Sequence, residues 1–251
     1  MGDVNFEILR HEVDFVAIDK PPGFHVHQQE DPRRRVHKSV IVLPNFRDQI
    51  QSYLYPVHRI DVGTEGVLVF ALNKPSAHSL CKQFELGTIR KTYYAIVRGY
   101  TKDEGIIDIP LELDSTGVAV DALTTYRTIA RVELPHAVGK RHMSARYSLV
   151  EAKPATGRYH QVRRHFGRLA HPLVGDRMHG DSHHNRFWRE QLGLGGLWLK
   201  AKAIEFKHPV TGESVHIESP WTPRWLNCFQ QMGWSAPGAA ATALSREEGM
   251  S

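Results

Sequence analysis

Short apolar runs recur along this chain of 251 residues, many alternating with polar positions, and they outnumber the segments with helical spacing. Residues 6–9 (Phe-Glu-Ile-Leu) and 15–18 (Phe-Val-Ala-Ile) predict two strands around a polar turn. Lys20-Pro21-Pro22-Gly23 then ends the pattern, because neither proline can donate to a ladder. The glycine-led run 66–71 reads as a buried strand. In 90–97, Tyr93, Ala95 and Val97 alternate with Thr92, Tyr94 and Ile96, again the period of a strand. Further strands are predicted at 104–109, 123–134, 145–152, 197–206 and 215–217. Helices are predicted at 47–54, 75–86, 159–169, 183–192 and 223–232, with Pro75 suited to a first turn and Gly87 to a C-cap. The polar stretch 28–38, with Arg33-Arg34-Arg35, predicts an exposed loop. Strands in hairpin-like runs with fewer helices predict an α+β fold with a mainly antiparallel sheet. No internal repeat or linker divides the chain, so 1–234 is expected to form one domain and 235–251 a disordered tail.

Two polar segments interrupt this pattern. In Val57-His58-Arg59-Ile60-Asp61-Val62-Gly63-Thr64-Glu65-Gly66, two glycines bracket a bend that small residues make easily. Asp61 is thereby displayed on a tight loop with Arg59 close by, which suits a reactive carboxylate; the plain alternative is an ordinary turn aspartate. The second segment is Thr156-Gly157-Arg158-Tyr159-His160-Gln161-Val162-Arg163-Arg164-His165. With Arg168 it places four arginines, Arg158, Arg163, Arg164 and Arg168, on one predicted helix whose N-terminal end is also positive. Such a surface repels itself unless anions lie near it, and arginine is well suited to phosphate, so phosphate contact is the functional reading. A solvated basic helix is the alternative.

The formal net charge of +5 is compatible with a polyanionic partner without requiring one. Two cysteines, Cys81 and Cys228, lie far apart, which argues against a disulfide scaffold or cysteine-ligated zinc and fits a reducing compartment. Cys81 falls in an apolar helical pattern and is expected to pack. The N-terminus lacks the pattern of a secretory signal, and no apolar run approaches the ~20 residues that span a bilayer. The expectation is a cytoplasmic protein with no membrane contact. His179, His183 and His184 are close in sequence, but no third ligand accompanies a facing pair, and no glycine-rich nucleotide loop occurs. Neither a metal nor an organic cofactor is expected.

The first segment resembles the catalytic motif of the RluA-type pseudouridine synthases, His-Arg-Leu-Asp, two variable residues, then Thr-Ser/Thr-Gly. His58, Arg59, Asp61, Thr64 and Gly66 match it; Ile60 replaces the usual Leu and Glu65 the usual Ser or Thr. The second segment and His171-Pro172-Leu173-Val174-Gly175-Asp176 resemble the family's Gly-Arg-x-His-Gln-x-Arg-x-His and His-Pro-x-x-Gly-Asp. The continuation from Asp181 to Arg186 is most similar to a tRNA-modifying branch. Lys20-Pro21-Pro22-Gly23 with Val26-His27 resembles the N-terminal signature, and Lys91-Thr92-Tyr93-Tyr94-Ala95-Ile96-Val97 the strand carrying the family's active-site tyrosine, at Tyr93. In Leu197-Trp198-Leu199-Lys200-Ala201, Lys200 replaces a usual His. The resemblance runs from about Phe6 to Trp234.

That resemblance implies a cofactor-independent isomerisation of uridine to pseudouridine in RNA, on a mixed, mostly antiparallel sheet with flanking helices and a cleft across its middle. Asp61 would act at the ribose–uracil junction, by attacking C1′, adding to C6 or removing the C2′ proton. Arg163 would pair with Asp61 and keep it ionised. Tyr93 would lie against the base and assist loss of the C5 proton, Leu199 would form an apolar wall, and Arg59, Arg158, Arg164 and Arg168 would hold the RNA backbone. The uridine would have to flip out of its stack, at a cost of a few kcal/mol. The resemblance further implies action on tRNA, at uridine 65 at the base of the T-stem; the sequence leaves the oligomeric state open, with a monomer favoured. A ribosomal or dual-specificity synthase is the nearest alternative, and an RNA-binding protein without catalysis the alternative of another class. Glu65 is expected to turn outward and pair with a surface cation such as Arg59, contributing little.

Overall fold

The computed structural model describes residues 4–28, 35–113, 116–139 and 142–238. Among these the chain runs β1 (Glu7–His11), β2 (Phe15–Lys20), α1 (Val42–Ile50), β3 (Tyr55–Pro56), β4 (Glu65–Ala71), α2 (Lys74–Glu85), β5 (Arg90–Arg98), β6 (Glu104–Asp108), β7 (Leu111–Glu112) and β8 (Ala119–Val120). It continues through β9 (Leu123–Leu134), β10 (Ala145–Pro154), α3 (Gln161–Arg168), α4 (Ser182–Glu190), β11 (Leu199–Lys207), β12 (Ser214–Glu218) and α5 (Pro223–Met232). The main sheet has the order β1-β2-β4-β11-β5-β10-β9-β6, with β3 added to β4 and β12 to β11. Its ladders are antiparallel except β4–β11, which pairs in parallel through Lys200↔Glu65 and Ala201↔Gly66. The fold is therefore α+β, as the pattern of short strands predicts.

Alternation along β5 sorts the core into two layers. Tyr94 and Ile96 enter one cluster with Tyr147, Trp188, Trp198, Trp225 and Phe229, covered by α4 and α5. Tyr93, Ala95 and Val97 face the other side, against Val150, Ala152, Val162, Phe166 and Leu199, under α3. Helix α2 covers a third cluster through Leu80, and α1 a fourth through Val42 and Phe46. The helix expected at 47–54 begins at Val42 instead. Val42, Phe46 and Ile50 repeat every fourth residue, and Pro44 sits in the first turn, where an absent N–H breaks no intrahelical bond.

Gly66 is needed where β4 meets β11. Its φ of +118° lies outside the range of ordinary residues, and an added Cβ would stand 2.1 Å from the Ala201 carbonyl oxygen. Of the predicted tail, Pro237 accepts a hydrogen bond from the Trp221 indole at 3.0 Å and Ala236 packs on the tryptophan-rich cluster. Residues 239–251 lie outside the described residues, as do Arg33 and Arg34 of the predicted polar loop.

Candidate active site

Asp61 sits in a turn that ends where β4 begins. The Thr64 amide donates to the Asp61 carbonyl at 3.0 Å, closing the turn. The next carbonyl, that of Val62, accepts from the Gly23 amide at 2.7 Å and from Lys20 Nζ at 3.3 Å. The N-terminal Lys-Pro-Pro-Gly segment thus clamps the aspartate loop. Lys20 is fully buried and donates also to the Pro21 and Phe24 carbonyls. Burial draws its pKa down to about 7, against the opposing pull of Asp61, Glu65 and Asp19.

Helix α3 supplies the partner of Asp61. Arg163 Nη1 donates to Asp61 Oδ2 at 3.1 Å, while Nε and Nη2 donate to the two oxygens of Asp176 at 2.7 and 2.8 Å. This bidentate fork fixes the guanidinium in one plane. Burial opposes the Arg163 charge, but the Asp176 and Asp61 carboxylates outweigh it and raise its pKa. Burial likewise opposes the Asp176 charge, yet Arg163 and the amides of His179 and Met178 hold that carboxyl below its usual range. On β5, burial and then the charge of Asp61 push the Tyr93 phenol upward, so it stays protonated at neutral pH.

Asp61, Tyr93 and Arg163 line one cleft of about 420 Å³ together with Arg59, Arg158, His160 and Leu199, and Asp176 lies buried behind Arg163. Not all four arginines of the predicted basic helix belong to it. Arg158 precedes α3, which starts at Gln161, and its Nε donates to the Asp121 carbonyl. Arg163 is buried, not solvated. Arg164 and Arg168 lie outside the cleft lining and donate to the carbonyls of Glu112 and Pro110. The helix is also tied down on its polar side, since Gln161 bonds the Leu123 carbonyl and Thr124, and His165 bonds Thr124.

Glu65 departs from expectation. It is 2% exposed and does not pair with Arg59. Its oxygens accept from Arg224 Nη1 at 2.7 Å, the Trp225 indole at 2.8 Å and the Thr222 hydroxyl at 3.0 Å. The reason is strand parity. Glu65 is in register with Lys200, which is in register with Tyr94, and that face of the sheet carries the tryptophan cluster. Tyr93 and Leu199 occupy the other face, toward the cleft.

Sequence reasoning assigned no role to Asp176 or His160, although both stand inside the quoted motifs. A lone acid after an arginine-rich stretch is a signal for the first; nothing local marks the second. The three histidines weighed as metal ligands take separate partners: His179 meets His160, His184 meets the Tyr147 hydroxyl, and His183 lies largely exposed beside Asp181.

Residues 14–168 match the family model described as RNA pseudouridylate synthase. The chain belongs to the RNA pseudouridylate synthase family. Among its relatives, a protein of Pectobacterium carotovorum subsp. carotovorum named tRNA pseudouridine synthase C is 41% identical over 238 residues, 91% of this chain and 62% of that relative. A Vibrio parahaemolyticus protein of the same name is 37% identical over 244 residues, 93% of this chain and 98% of that one. The present chain thus spans less than two thirds of the first relative's length and nearly all of the second's. In fold it is similar to human RNA Pseudouridylate Synthase Domain Containing 4, with a TM-score of 0.69 at 22% identity, covering 92% of this chain and 94% of that one. The Asp61 turn, Tyr93 and α3 with Arg163 all fall within the span matched to the pseudouridylate synthases.

Proposed function

We propose that this protein converts a uridine of transfer RNA to pseudouridine, with Asp61 as the catalytic carboxylate, Tyr93 against the base and Arg163 holding Asp61. The observation that carries this reading is Asp61 bonded to an Arg163 that Asp176 fixes from behind, in a cleft of about 420 Å³ that Tyr93 also lines. In the reaction the C1′–N1 bond breaks, the uracil turns, and C5 bonds to C1′; C5 loses a proton and N1 gains one. No net oxidation occurs. A carboxylate held by a fixed guanidinium meets the need for a negative group at the ribose–uracil junction without spending energy on reorganisation. A protonated Tyr93 can bond the base and relay the C5 proton, releasing its own phenolic proton to solvent as it takes that one. Arg59 and Arg158 at the cleft mouth serve the flanking phosphates, with Arg164 and Arg168 extending that surface beyond the cleft. Transfer RNA is supported by the names of the relatives, and uridine 65 by the resemblance of the segment Asp181 to Arg186 alone.

Tritium release from C5-labelled uridine in tRNA and ribosomal RNA transcripts tests the reading. The wild type should release tritium from tRNA, and Asp61→Ala should abolish release while RNA binding persists, because phosphate contacts dominate affinity. Turnover of Asp61→Ala within tenfold of wild type would remove Asp61 from the mechanism, and release from ribosomal fragments alone would move the substrate.

A further inference from the structure

Arg163 accounts for one oxygen of Asp61; the other faces a histidine. His160 Nε2 stands 3.9 Å from Asp61 Oδ1, and its Nδ1 lies 3.0 Å from His179 Nε2. The His179 amide in turn donates to Asp176 Oδ1 at 3.0 Å, on the same carboxylate that holds Arg163. Asp176 therefore reaches both oxygens of Asp61 by two arms, one through Arg163 and one through His179 and His160. The loop that closes the second arm is tight: a Cβ on Gly180 would stand 2.2 Å from the Asp176 carbonyl oxygen.

His160 is held in place at some cost. Its backbone is left-handed, with φ 51° and ψ 30°, a conformation that costs an L residue ~1–2 kcal/mol. Its ring stacks on Tyr159 with centroids 3.6 Å apart. Strain of this kind persists where the surroundings over-determine it, and it gathers at working sites.

We propose that His160 is a positioning residue for the isomerisation, with its Nε2–H directed at Asp61 Oδ1, and that His179 selects this tautomer by donating its own Nε2–H to His160 Nδ1. The opposite tautomer would set an imidazole lone pair against a carboxylate. Burial keeps His160 neutral, its pKa lowered to about 4 although Asp61 pulls the other way, so a single N–H has to be placed correctly. A gap of 3.9 Å becomes a hydrogen bond with a shift of about 1 Å, and such contacts commonly tighten when substrate binds. The inference rests on Asp61 being the catalytic carboxylate.

Steady-state kinetics on tRNA with His160→Phe, His160→Gln and His179→Phe test it, beside Asp61→Ala as reference. His160→Phe keeps the ring stack and removes the N–H; kcat should fall about ten- to a hundredfold, the scale of a misplaced reacting group, with KM and Tm little changed. His160→Gln restores an N–H near the Nε2 position and should recover most of that loss. His179→Phe should lower kcat less, and should add no further loss on top of His160→Phe, as expected of one coupled arm. A kcat within twofold of wild type for both phenylalanine variants overturns the inference, and so does a loss that His160→Gln fails to recover. If His160→Phe does not fold, His179→Phe and His160→Gln decide alone. Activity persisting in Asp61→Ala would instead overturn the underlying functional reading.

Discussion

Glu65 and Lys200 stand opposite each other across the parallel β4–β11 ladder, yet neither satisfies the other. The Glu65 carboxylate is taken by Arg224, Trp225 and Thr222. Lys200 is fully buried with Nζ 3.8 Å from Asp19 Oδ1 and has no hydrogen-bond partner among the described residues. These are the two positions where the chain differs most in chemistry from the family motif, and both side chains point away from the cleft. The departures alter the support behind β4 and leave the reacting face with its expected residues.

Glu65→Ser should therefore act on stability. It leaves the Arg224 guanidinium, a quarter exposed and still bonded to the Gly195 and Leu197 carbonyls, without its carboxylate, and losing a hydrogen bond to a charged group costs about 1.5–3 kcal/mol. Denaturant unfolding should show that loss. The pH–rate profile of the surviving folded enzyme should match wild type, because strand parity separates Glu65 from Asp61. A shift of its acidic limb by a full unit would show the two carboxylates to be coupled.

Asp176→Asn should affect both arms that hold Asp61. An amide nitrogen replaces an acceptor facing Arg163, so the fork that orients the guanidinium is lost. We expect kcat to fall at least tenfold, RNA affinity to stay within about twofold, and stability to drop by about 2–4 kcal/mol. Equal losses in kcat and affinity would place Asp176 in RNA binding instead.

The arginines should separate by their contacts. Arg59 is exposed at the cleft mouth, so Arg59→Ala should weaken RNA binding and flatten the logarithmic salt dependence by ~0.7–0.9, one phosphate contact. Arg168→Ala and Arg164→Ala should also lower Tm, since each side chain holds a backbone carbonyl next to β7. Unchanged salt slopes in all three would remove these residues from the RNA surface.

His58 makes the fold acid-sensitive. Its Nε2 accepts the Val69 amide at 2.9 Å and its ring stacks on Phe84, which requires the neutral form. Burial lowers its pKa from 6.5 to about 3, with Lys91 adding to the effect. Between those values the unfolded chain binds a proton that the folded chain refuses. The stabilisation is complete above pH 6.5 and is lost as pH falls toward 3. His58→Gln keeps an acceptor for Val69 without titrating, so its Tm should fall less steeply from pH 6.5 to 4. Parallel curves for the two proteins would exclude His58 as a source of the acid sensitivity.

The strand-rich α+β layout, the bend around Asp61 and the placing of Tyr93 on one face of β5 were legible in the residues alone. Each of these follows from local terms: a two-residue period, glycine's backbone freedom and proline's missing donor. Two-residue strands such as β3, β7 and β8 carry too few positions to show a period. Partners of buried charges were decided by the tertiary structure alone. Glu65 reads locally as a turn-edge carboxylate that water could solvate, but burial on the tryptophan face demands a counter-charge, and Arg224 is delivered there by α5 from the far end of the chain. Asp176 and His179 likewise reach Asp61 only because the sheet brings α3 and the loop after it over the start of β4. Desolvation, which makes such pairings obligatory, is a property of the assembled fold and leaves no mark on neighbouring residues.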